Sequence, residues 1–485
     1  MSGSGPAGPA PARAGDLATD GLATDGLKGV PVTVVGLGVS GAAAASVLLD
    51  LGALVHAVDA GGGERLAATA ERLRAAGARV TLGELPTGPG EARLVVTSPG
   101  VPPGTPLLAA ARAAAIPVWG EIELGWRLRP LARWLAVTGT NGKTTTTEML
   151  GAILTAAGRR ATTAGNIGAP VVTAALAEPP YDTLAVELSS FQLHYTDTAV
   201  PVAATILNVA PDHLDWHGGP DGYAADKARI WRHPDTIAIG NVDDPASRAL
   251  LAQAPGRQVT FGLDPRLAQV TVVDGQLVDR AFGGGPLLAV ADLLAGGDAP
   301  AAGGPAGPGR HLVANALAAA ALARADGVAP AAIATALAAY RPGAHRNAQV
   351  VTAGGVRFVD DSKATNPHAA AASLSAYPSV VWIAGGLNKG LAFDELVELA
   401  RDSLRAAVLI GRCADEVAAA LARHAPDVPV ERAAGMDDAV EVAARLAKPG
   451  DTVLLAPAAA SMDMFRDYAE RGDLFAAAAR RLAAT

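Results

Sequence analysis

Short apolar runs alternate with longer alanine-rich stretches along most of this chain. Runs such as 31–35, 183–186 and 380–384 have the length of buried strands, and helix-length segments separate them from one another. That alternation predicts strands joined by helices, which is the pattern of parallel sheets covered by helices. The sequence therefore predicts an α/β fold.

The same pattern divides the chain into a tail and three domains. Residues 1–28 are rich in Gly, Ala, Pro and Ser and carry no periodic apolar face, so we predict a disordered tail. A second stretch of similar composition, 296–309, is predicted to be a flexible loop. The domain limits are predicted at 29–121, 122–341 and 342–485. The first and third domains are expected to be Rossmann-like, and the central one an α/β domain with a phosphate-binding loop.

Composition narrows the class of protein further. The 485 residues carry a formal net charge of −8 at pH 7 without a basic block, so we do not expect nucleic acid as a main partner. A single cysteine, Cys413, excludes an internal disulfide framework and is typical of a reducing compartment. The sequence shows no secretory signal and no uninterrupted apolar run of about 20 residues. We therefore expect a cytoplasmic monomer without membrane insertion.

The most informative stretch is 135–146, LAVTGTNGKTTT. A strand-like run enters a glycine-rich turn that ends in Lys143-Thr144 and opens a helix. Glycines let backbone N–H groups approach phosphate oxygens, the lysine neutralises their charge, and the threonine hydroxyl can bind Mg²⁺. The loop is a variant, because Val137 stands where the usual pattern begins with glycine. A tight turn without ligand is the alternative, but a nucleoside triphosphate site is favoured. Its candidate contacts are Gly139, Thr140, Asn141, Gly142, Lys143, Thr144 and Thr145.

A second glycine-rich loop follows the first predicted strand. Residues 36–41, GLGVSG, stand between a strand and a helix, and Asp59 ends the next strand about 20 residues on. This fingerprint suggests NAD, although it suits any diphosphate-bearing nucleotide, and it also occurs where a strand packs tightly on a helix without a ligand. Ser98-Pro99-Gly100 follows another strand at the edge where open sheets bind ligands.

Polar residues follow the central strands. Asn166 lies in the turn GNIG, Glu187 follows a strand, and His213 lies in PDHLD after the next strand. A hard oxygen ligand such as Glu187 suits Mg²⁺ beside ATP phosphates, whereas His213 is an unusual magnesium ligand and equally a hydrogen-bonded structural residue. From its helical position alone, Lys227 is an ordinary solvated lysine.

Three strand ends in the last third of the chain are also rich in polar residues. They carry the segments DDSKATNP at 360–367, GGLNKG at 385–390 and APAAASMDMF at 456–465. Each could be an ordinary capped turn, but the three together predict a ligand site at one sheet edge.

Taken together, these motifs resemble those of the Mur ligases. The resemblance spans residues 30–485 in the family's order and adds Lys227 and the pair His345-Arg346. It implies an ATP-dependent amide ligase of cytoplasmic peptidoglycan precursor synthesis, and hence a role in cell wall biogenesis, cell shape and cell division. The implied reaction joins D-glutamate to UDP-N-acetylmuramoyl-L-alanine through an acyl phosphate and releases ADP and phosphate, with two Mg²⁺ ions as cofactors.

The resemblance also assigns roles to individual residues, and it replaces NAD by a uridine diphosphate at the first loop. Implied contacts to the UDP-substrate are Gly36, Gly38, Val39, Ser40, Gly41, Asp59, Ser98, Pro99, Gly100 and Asn166. ATP would further contact Arg346 and Asp361. The implied metal ligands are Thr144, Glu187, His213 and Lys227, the last as a carbamate. D-Glutamate would contact Lys363, Thr365, Lys389, Ser461, Met462 and Tyr468. The implied catalytic residues are Lys143, His213, Lys227 and Lys363.

Two departures from the family pattern concern the nucleotide. Leu312 stands where relatives commonly carry Asn, with Asn315 nearby as a replacement, and Ala348 stands where relatives often carry an acid. Four other functions remain open from the residues: a sister ligase for another amino acid, a folylpolyglutamate-type ligase, a non-catalytic regulator that binds a UDP-sugar and ATP, and a dehydrogenase. Intact lysines and acids at the predicted site argue against the regulator, and no hydride-transfer site supports the dehydrogenase.

Overall fold

The computed structural model describes residues 24–128, 132–294, 309–388 and 390–484. Their strands form three separate sheets in chain order, and each sheet is the centre of one domain. The predicted α/β class with three domains is thereby confirmed, whereas the domain limits remain predictions. The predicted loop 296–309 lies almost wholly outside the described residues. Every helix among the described residues is too short or too polar to span a lipid bilayer.

The N-terminal domain is a five-stranded parallel sheet in the order β3-β2-β1-β4-β5. Its elements are β1 (Pro31–Val35), α1 (Val39–Asp50), β2 (Leu54–Asp59), α2 (Glu64–Ala75), β3 (Arg79–Leu82), β4 (Leu94–Thr97), α3 (Pro106–Ala113) and β5 (Val118–Gly120). The order reverses between β1 and its neighbours β2 and β4, and ligands bind beyond the carboxyl ends of strands at such a point. The glycine-rich loop after β1 lies there.

The predicted disordered tail, 1–28, wrongly includes an ordered segment at its carboxyl end. A short 3₁₀ helix covers Thr24–Leu27, and the side chain of Leu27 is fully buried in the core of the N-terminal domain. The apolar residues of 1–28 follow neither a helical nor a strand period, so the sequence does not reveal this contact. The rest of the predicted tail, up to residue 23, lies outside the described residues.

The central domain is built on a nine-stranded sheet in the order β14-β13-β12-β11-β10-β9-β6-β8-β7. The pairings from β7 to β12 are parallel, and β12, β13 and β14 add an antiparallel extension at one edge. Its elements are α4 (Glu121–Leu128), β6 (Arg133–Thr138), α5 (Lys143–Ala156), β7 (Ala161–Gly165), α6 (Val171–Ala175), β8 (Thr183–Glu187), α7 (Ser190–His194), β9 (Ala203–Ile206), α8 (Leu214–His217), α9 (Pro220–Ala228), β10 (Ile237–Asn241), α10 (Pro245–Leu251), β11 (Gln258–Phe261), β12 (Val270–Val273), β13 (Gln276–Asp279), β14 (Gly285–Ala289), α11 (Arg310–Ala325) and α12 (Pro330–Ala339).

Helix α11 lies in the core of the central domain. Most of its residues are buried, including the alanine run 318–321, whose members are fully buried. It packs in one apolar cluster with α5 and with strands of the sheet. Alanine combines the highest helix propensity with the smallest side chain that still covers the backbone, so a buried helix of this composition can approach its neighbours closely. The first turns of α11 point toward the glycine-rich loop before α5.

The C-terminal domain is a six-stranded sheet in the order β15-β16-β20-β17-β18-β19. Only the β15–β16 pairing is antiparallel. Its elements are β15 (Ala348–Ala353), β16 (Val356–Asp360), α13 (Pro367–Leu374), β17 (Val380–Gly385), α14 (Asp394–Ala400), β18 (Leu404–Ile410), α15 (Ala414–His424), β19 (Val430–Arg432), α16 (Met436–Leu446), β20 (Thr452–Leu455) and α17 (Tyr468–Ala483). The three predicted polar segments follow the neighbouring strands β16, β17 and β20, as the sequence pattern predicts.

Candidate functional site

The phosphate loop connects β6 to α5. Gly139 and Gly142 have φ angles of 154° and 81°, and helix α5 begins at Lys143 itself. A Cβ atom on Gly142 would lie 2.5 Å from Asn315 Oδ1, so the loop approaches α11 as closely as only glycine allows. Lys143 Nζ donates to the carbonyl oxygens of Gly139 and Thr140, both at 2.9 Å. Burial lowers the pKa of Lys143, against the opposing effect of Glu187.

A cavity of about 460 Å³ opens between this loop and the C-terminal domain. Predicted residues that line it are Thr140, Asn141, Gly142, Lys143, Thr144, Thr145, Asn166, Glu187, Arg346, Asp361, Lys363 and Thr365. Residues that sequence reasoning missed also line it: Asn208, Asp212, Asn241, Asp243, Asp244, His311 and His368. Most of these follow strands β9 and β10, so their position at a strand end was the available signal. The cavity thus joins the predicted ATP residues of two domains.

Glu187 fits the predicted magnesium site. Its side chain is buried, and Oε1 accepts a 2.7 Å hydrogen bond from Asn166 Nδ2. Among the described residues, Oε2 is buried without a hydrogen-bond partner. Thr144 contributes a hydroxyl to the same cavity. Within the described residues, no group of three or more His, Cys, Asp or Glu could hold a metal by itself.

Asn166 lies beside the phosphate loop and not at the N-terminal cavity, and its predicted contact to the UDP-substrate stays a prediction. Its side chain contacts Glu187 and lines the cavity beside the phosphate loop, whereas it is not among the residues of the N-terminal cavity. The reason is that the turn after β7 ends at the edge of the central sheet. In the structure Asn166 therefore orients the buried carboxylate.

Lys227 is buried, contrary to the reading of an isolated helical lysine as solvated surface. Its Nζ donates to the Gly139 carbonyl oxygen at 3.0 Å and lies 4.5 Å from the centre of the Tyr223 ring. Burial, reinforced by the positive charge of Lys143, lowers the pKa of Lys227 well below its ordinary value. A buried amine that loses its proton readily is a nucleophile, which is what carbamate formation requires.

The structure does not place His213 in the cavity. Its ring packs against Phe191 with 4.8 Å between ring centres, and Nε2 lies 3.5 Å from Asp212 Oδ1. Asp212 lines the cavity, whereas His213 is absent from the lining residues. The predicted metal and catalytic roles of His213 stay predictions, and Asp212 is a further oxygen donor on that side.

A hydrogen-bonded network that the sequence did not reveal holds the helix of Lys227. Asp226 accepts from His217 Nδ1 at 2.7 Å and from His194 Nδ1 at 2.9 Å, and His217 Nε2 lies 2.9 Å from Ser190 Oγ. Burial raises the pKa of Asp226, but the bonds from both histidines outweigh that effect and lower it. The network ties α9 to α7 and α8, so the position of Lys227 is fixed from three helices.

The glycine-rich loop of the N-terminal domain borders a second cavity of about 440 Å³. The predicted residues that line it are Gly36, Gly38, Val39, Ser40, Asp59, Ser98, Pro99 and Gly100. Asp59 holds the loop, since its Oδ2 accepts from Leu37 N at 2.6 Å and its Oδ1 from Gly61 N at 2.7 Å. Gly41 is the exception among the predicted loop residues, because it lies beneath the loop rather than in the cavity wall.

We expect Gly41→Ala to damage the N-terminal domain. The added Cβ would lie 1.8 Å from the Gly36 carbonyl oxygen and 2.5 Å from Ser98 Oγ, so the loop must shift. Such overpacking costs about 1–3 kcal/mol. The melting temperature of the N-terminal domain should fall by about 4–8 °C per kcal/mol, the range for a domain of about 100 residues or fewer. The control is Gly62→Ala, since a Cβ there meets nothing within 4 Å. Equal melting temperatures for the two variants would contradict this prediction.

The predicted D-glutamate residues are divided between two places. Lys363 and Thr365 line the larger cavity, whereas Ser461, Met462 and Tyr468 are absent from its lining residues. Lys363 connects the two groups, because its Nζ lies 3.7 Å from the centre of the Tyr468 ring. Lys389 lies outside the described residues.

Direct contacts join the phosphate loop to the C-terminal domain. Asn141 Nδ2 lies 2.9 Å from His368 Nδ1, and Asn366 Nδ2 donates to Asn141 Oδ1 at 3.1 Å. Arg346 Nη1 lies 3.4 Å from Thr145 Oγ1. A nucleotide bound at the loop would therefore contact both domains at once.

Three protein-family models match this chain, one in each of its three domains. The family model described as Mur ligase MurD-like, N-terminal domain, matches residues 31–120. The Mur ligase middle domain matches 137–323, and the Mur ligase, glutamate ligase domain, matches 345–459. Among solved structures, the MurF ligase from Thermotoga maritima in complex with ADP aligns with a TM-score of 0.57 at 18% identity, covering 97% of this chain and 99% of that one. This likeness supports the fold.

Relatives with curated names are much more similar. UDP-N-acetylmuramoylalanine--D-glutamate ligase from Frankia casuarinae is 70% identical over 455 residues, which cover 93% of this chain and 94% of the relative. The ligase of the same name from Streptomyces avermitilis is 52% identical, with 94% and 99% covered. The chain therefore belongs to the Mur ligase family, in the branch of the UDP-N-acetylmuramoylalanine--D-glutamate ligases.

Proposed function

We propose that this protein uses ATP to join D-glutamate to UDP-N-acetylmuramoyl-L-alanine, a step of peptidoglycan precursor synthesis. The observation that carries the proposal is the cavity between two domains, which gathers Lys143, Glu187, Arg346 and Lys363. Three cations and one buried carboxylate with a free oxygen suit a phosphoryl group that gains charge as it is transferred. The names of the most similar relatives support the choice of substrates.

The reaction needs activation, because a carboxylate is a poor electrophile at neutral pH. The L-alanine carboxylate attacks the γ-phosphorus of ATP, the bond to the ADP oxygen breaks, and an acyl phosphate forms. The deprotonated amine of D-glutamate then attacks the acyl carbon, and the tetrahedral intermediate expels phosphate. Lys143 and Lys363 reach the cavity from opposite domains, so they would stabilise negative charge on the transferred group from two sides.

Mg²⁺ fits the oxygen atoms that this site presents. Thr144 and Glu187 would hold one ion, with Asp212 as a further oxygen donor on the same wall. When bound, the metal would offset charge on the phosphates and orient them. A carbamate on Lys227 would supply an anionic oxygen ligand for a second ion, and the lowered pKa of that buried amine supports its formation.

The contacts between the phosphate loop and the C-terminal domain would protect the acyl phosphate from water. An acyl phosphate hydrolyses in water, and contacts such as those from Asn141 to Asn366 and His368 bring the C-terminal domain over the phosphate loop. Closure would therefore exclude water while the amine attacks. We further propose that the enzyme acts as a monomer. We infer the cytoplasm as its compartment, where ATP is available.

The experiment is phosphate release from ATP with and without UDP-N-acetylmuramoyl-L-alanine, across a panel of D- and L-amino acids. We expect release that needs both the UDP-substrate and D-glutamate, with the ligated product identified by its mass. Release with a different amino acid would retain the mechanism and move the protein to a sister specificity. ATP binding without release for any pair would contradict the enzyme and favour a nucleotide-binding regulator.

A further inference from the structure

The segment that enters the C-terminal domain has an unusual backbone. Arg346 lies between His345 and Asn347, whose φ angles are 62° and 51°. Neither neighbour is glycine; histidine and asparagine tolerate the left-handed conformation better than most residues, but it still costs free energy that surrounding contacts must offset. Such strain persists where the structure over-determines it, often at a functional site. Contacts from two consecutive acids hold these two residues.

A buried carboxylate holds His345. His345 Nδ1 lies 2.7 Å from Asp360 Oδ2, and the His345 carbonyl oxygen accepts from Lys363 N at 3.1 Å. Asp360 is itself fixed, because its Oδ1 accepts from Ser362 N at 2.9 Å. Helix α17 closes over the pair at Gly472, where a Cβ would lie 2.1 Å from His345 Nδ1. The fit leaves no other position for the ring.

The next carboxylate along the chain holds Asn347. The Asn347 backbone N–H donates to Asp361 Oδ1 at 3.0 Å, and Tyr377 OH donates to Asn347 Oδ1 at 2.7 Å. The other oxygen of Asp361 accepts from Ser373 Oγ. Consecutive acids at the end of β16 thus clamp both residues that flank Arg346.

The clamp fixes the backbone from which the Arg346 side chain extends. The Arg346 side chain lines the larger cavity, with Nη1 3.4 Å from Thr145 Oγ1 in the first turn of α5. An arginine on an unconstrained linker would sample many directions, and binding a phosphate would then require the linker to be ordered. A linker already held in one conformation avoids that loss.

We propose that Asp360, acting through His345, is a positioning residue that fixes Arg346 for the phosphates of ATP. The inference rests on the proposed function only in taking ATP as the nucleotide of this cavity. Asp360 does not line the cavity, so it acts on the nucleotide through the linker and not by contact. The effect should therefore fall on ATP affinity and leave the N-terminal cavity unchanged.

The test compares alanine and glycine at the strained position. His345→Ala and Asp360→Ala should each weaken ATP binding about tenfold, because a left-handed residue is no longer held. His345→Gly also removes the ring, but glycine adopts positive φ freely, so its affinity should stay within about threefold of the parent. Dissociation constants for ATP and for UDP-N-acetylmuramoyl-L-alanine would be measured by titration calorimetry, with melting temperatures recorded alongside.

Two further variants sharpen the test. Asp473→Ala is the matched control: its exposed carboxylate lies 3.7 Å from His345 Nε2, and an exposed pair of this kind contributes little. Its ATP affinity should equal that of the parent. The double variant Asp360→Ala/His345→Gly should bind ATP like His345→Gly alone, since the carboxylate acts through the histidine.

The outcomes separate this inference from the proposed function. Equal ATP affinity for His345→Ala and His345→Gly would overturn it, as would a parallel loss of affinity for the UDP-substrate. A parent protein that binds ATP but ligates no amino acid would contradict the proposed function, while the comparison of ATP affinities would still decide the role of Asp360. A parent that binds no ATP would overturn both.

Discussion

The Lys143→Met variant is expected to release phosphate at least about 1000-fold more slowly than the parent, with its fold unchanged. Lys143 is the first residue of α5, and its ammonium group lies among the backbone oxygens of the phosphate loop. Methionine preserves the length and packing of the side chain but removes the charge. The loss should appear mainly in kcat, because the charge on the phosphoryl group rises toward the transition state.

Steady-state phosphate release with both substrates measures this effect. The matched control is Lys448→Met, which removes an exposed lysine before β20, away from the cavity. Its rate should equal that of the parent. A Lys143→Met enzyme within tenfold of the parent would show that this loop does not carry the transferred phosphate.

The second large effect is expected at Lys227. Lys227→Ala should lose about 100-fold or more in activity and regain part of it when short carboxylic acids such as acetate are added. The physical reason is that a carbamate would present a carboxylate-like oxygen in a buried place, and a small acid can occupy the space that alanine leaves. Depleting dissolved CO₂ should also lower the activity of the parent.

Two readouts separate this role from damage to the fold. The parent incubated with ¹³C-labelled bicarbonate should show a carbamate resonance that is missing from Lys227→Ala. Acetate should not restore Lys143→Met, since that variant lacks a charge of the opposite sign. Full activity of Lys227→Ala without added acid would remove the carbamate from the mechanism.

The predictable parts of this protein are those encoded by nearby residues. The phosphate loop, the glycine-rich loop and the three polar strand ends are each a few consecutive residues, and the structure places them where parallel sheets bind ligands. The antiparallel strands β13 and β14 each pair with the strand just before them in the chain, and Leu27 packs into the core of the N-terminal domain. The hydrophobic patterns of these segments are too short to predict their partners.

Within the site, the sequence motifs could not predict the direction in which each side chain points. His213 and Asp212 are neighbours in sequence, yet Asp212 lines the cavity while the His213 ring packs on Phe191. Asn166 donates a hydrogen bond to the buried Glu187, a contact that its motif does not indicate, while its predicted contact to the UDP-substrate stays a prediction. The burial of Lys227 depends on three helices that meet only in the folded chain. The spacing of residues along the sequence does not predict such tertiary contacts.

The alanine-rich helix α11 bears on how this enzyme can change during evolution. Its fully buried run 318–321 has no room for larger side chains, because even one added methylene strains a close-packed interior. The amino end differs, because His311, Leu312 and Asn315 line the cavity and a substitution there changes the cavity wall directly. New nucleotide preferences can therefore arise from a single helical turn, while the rest of the helix keeps the phosphate loop in place.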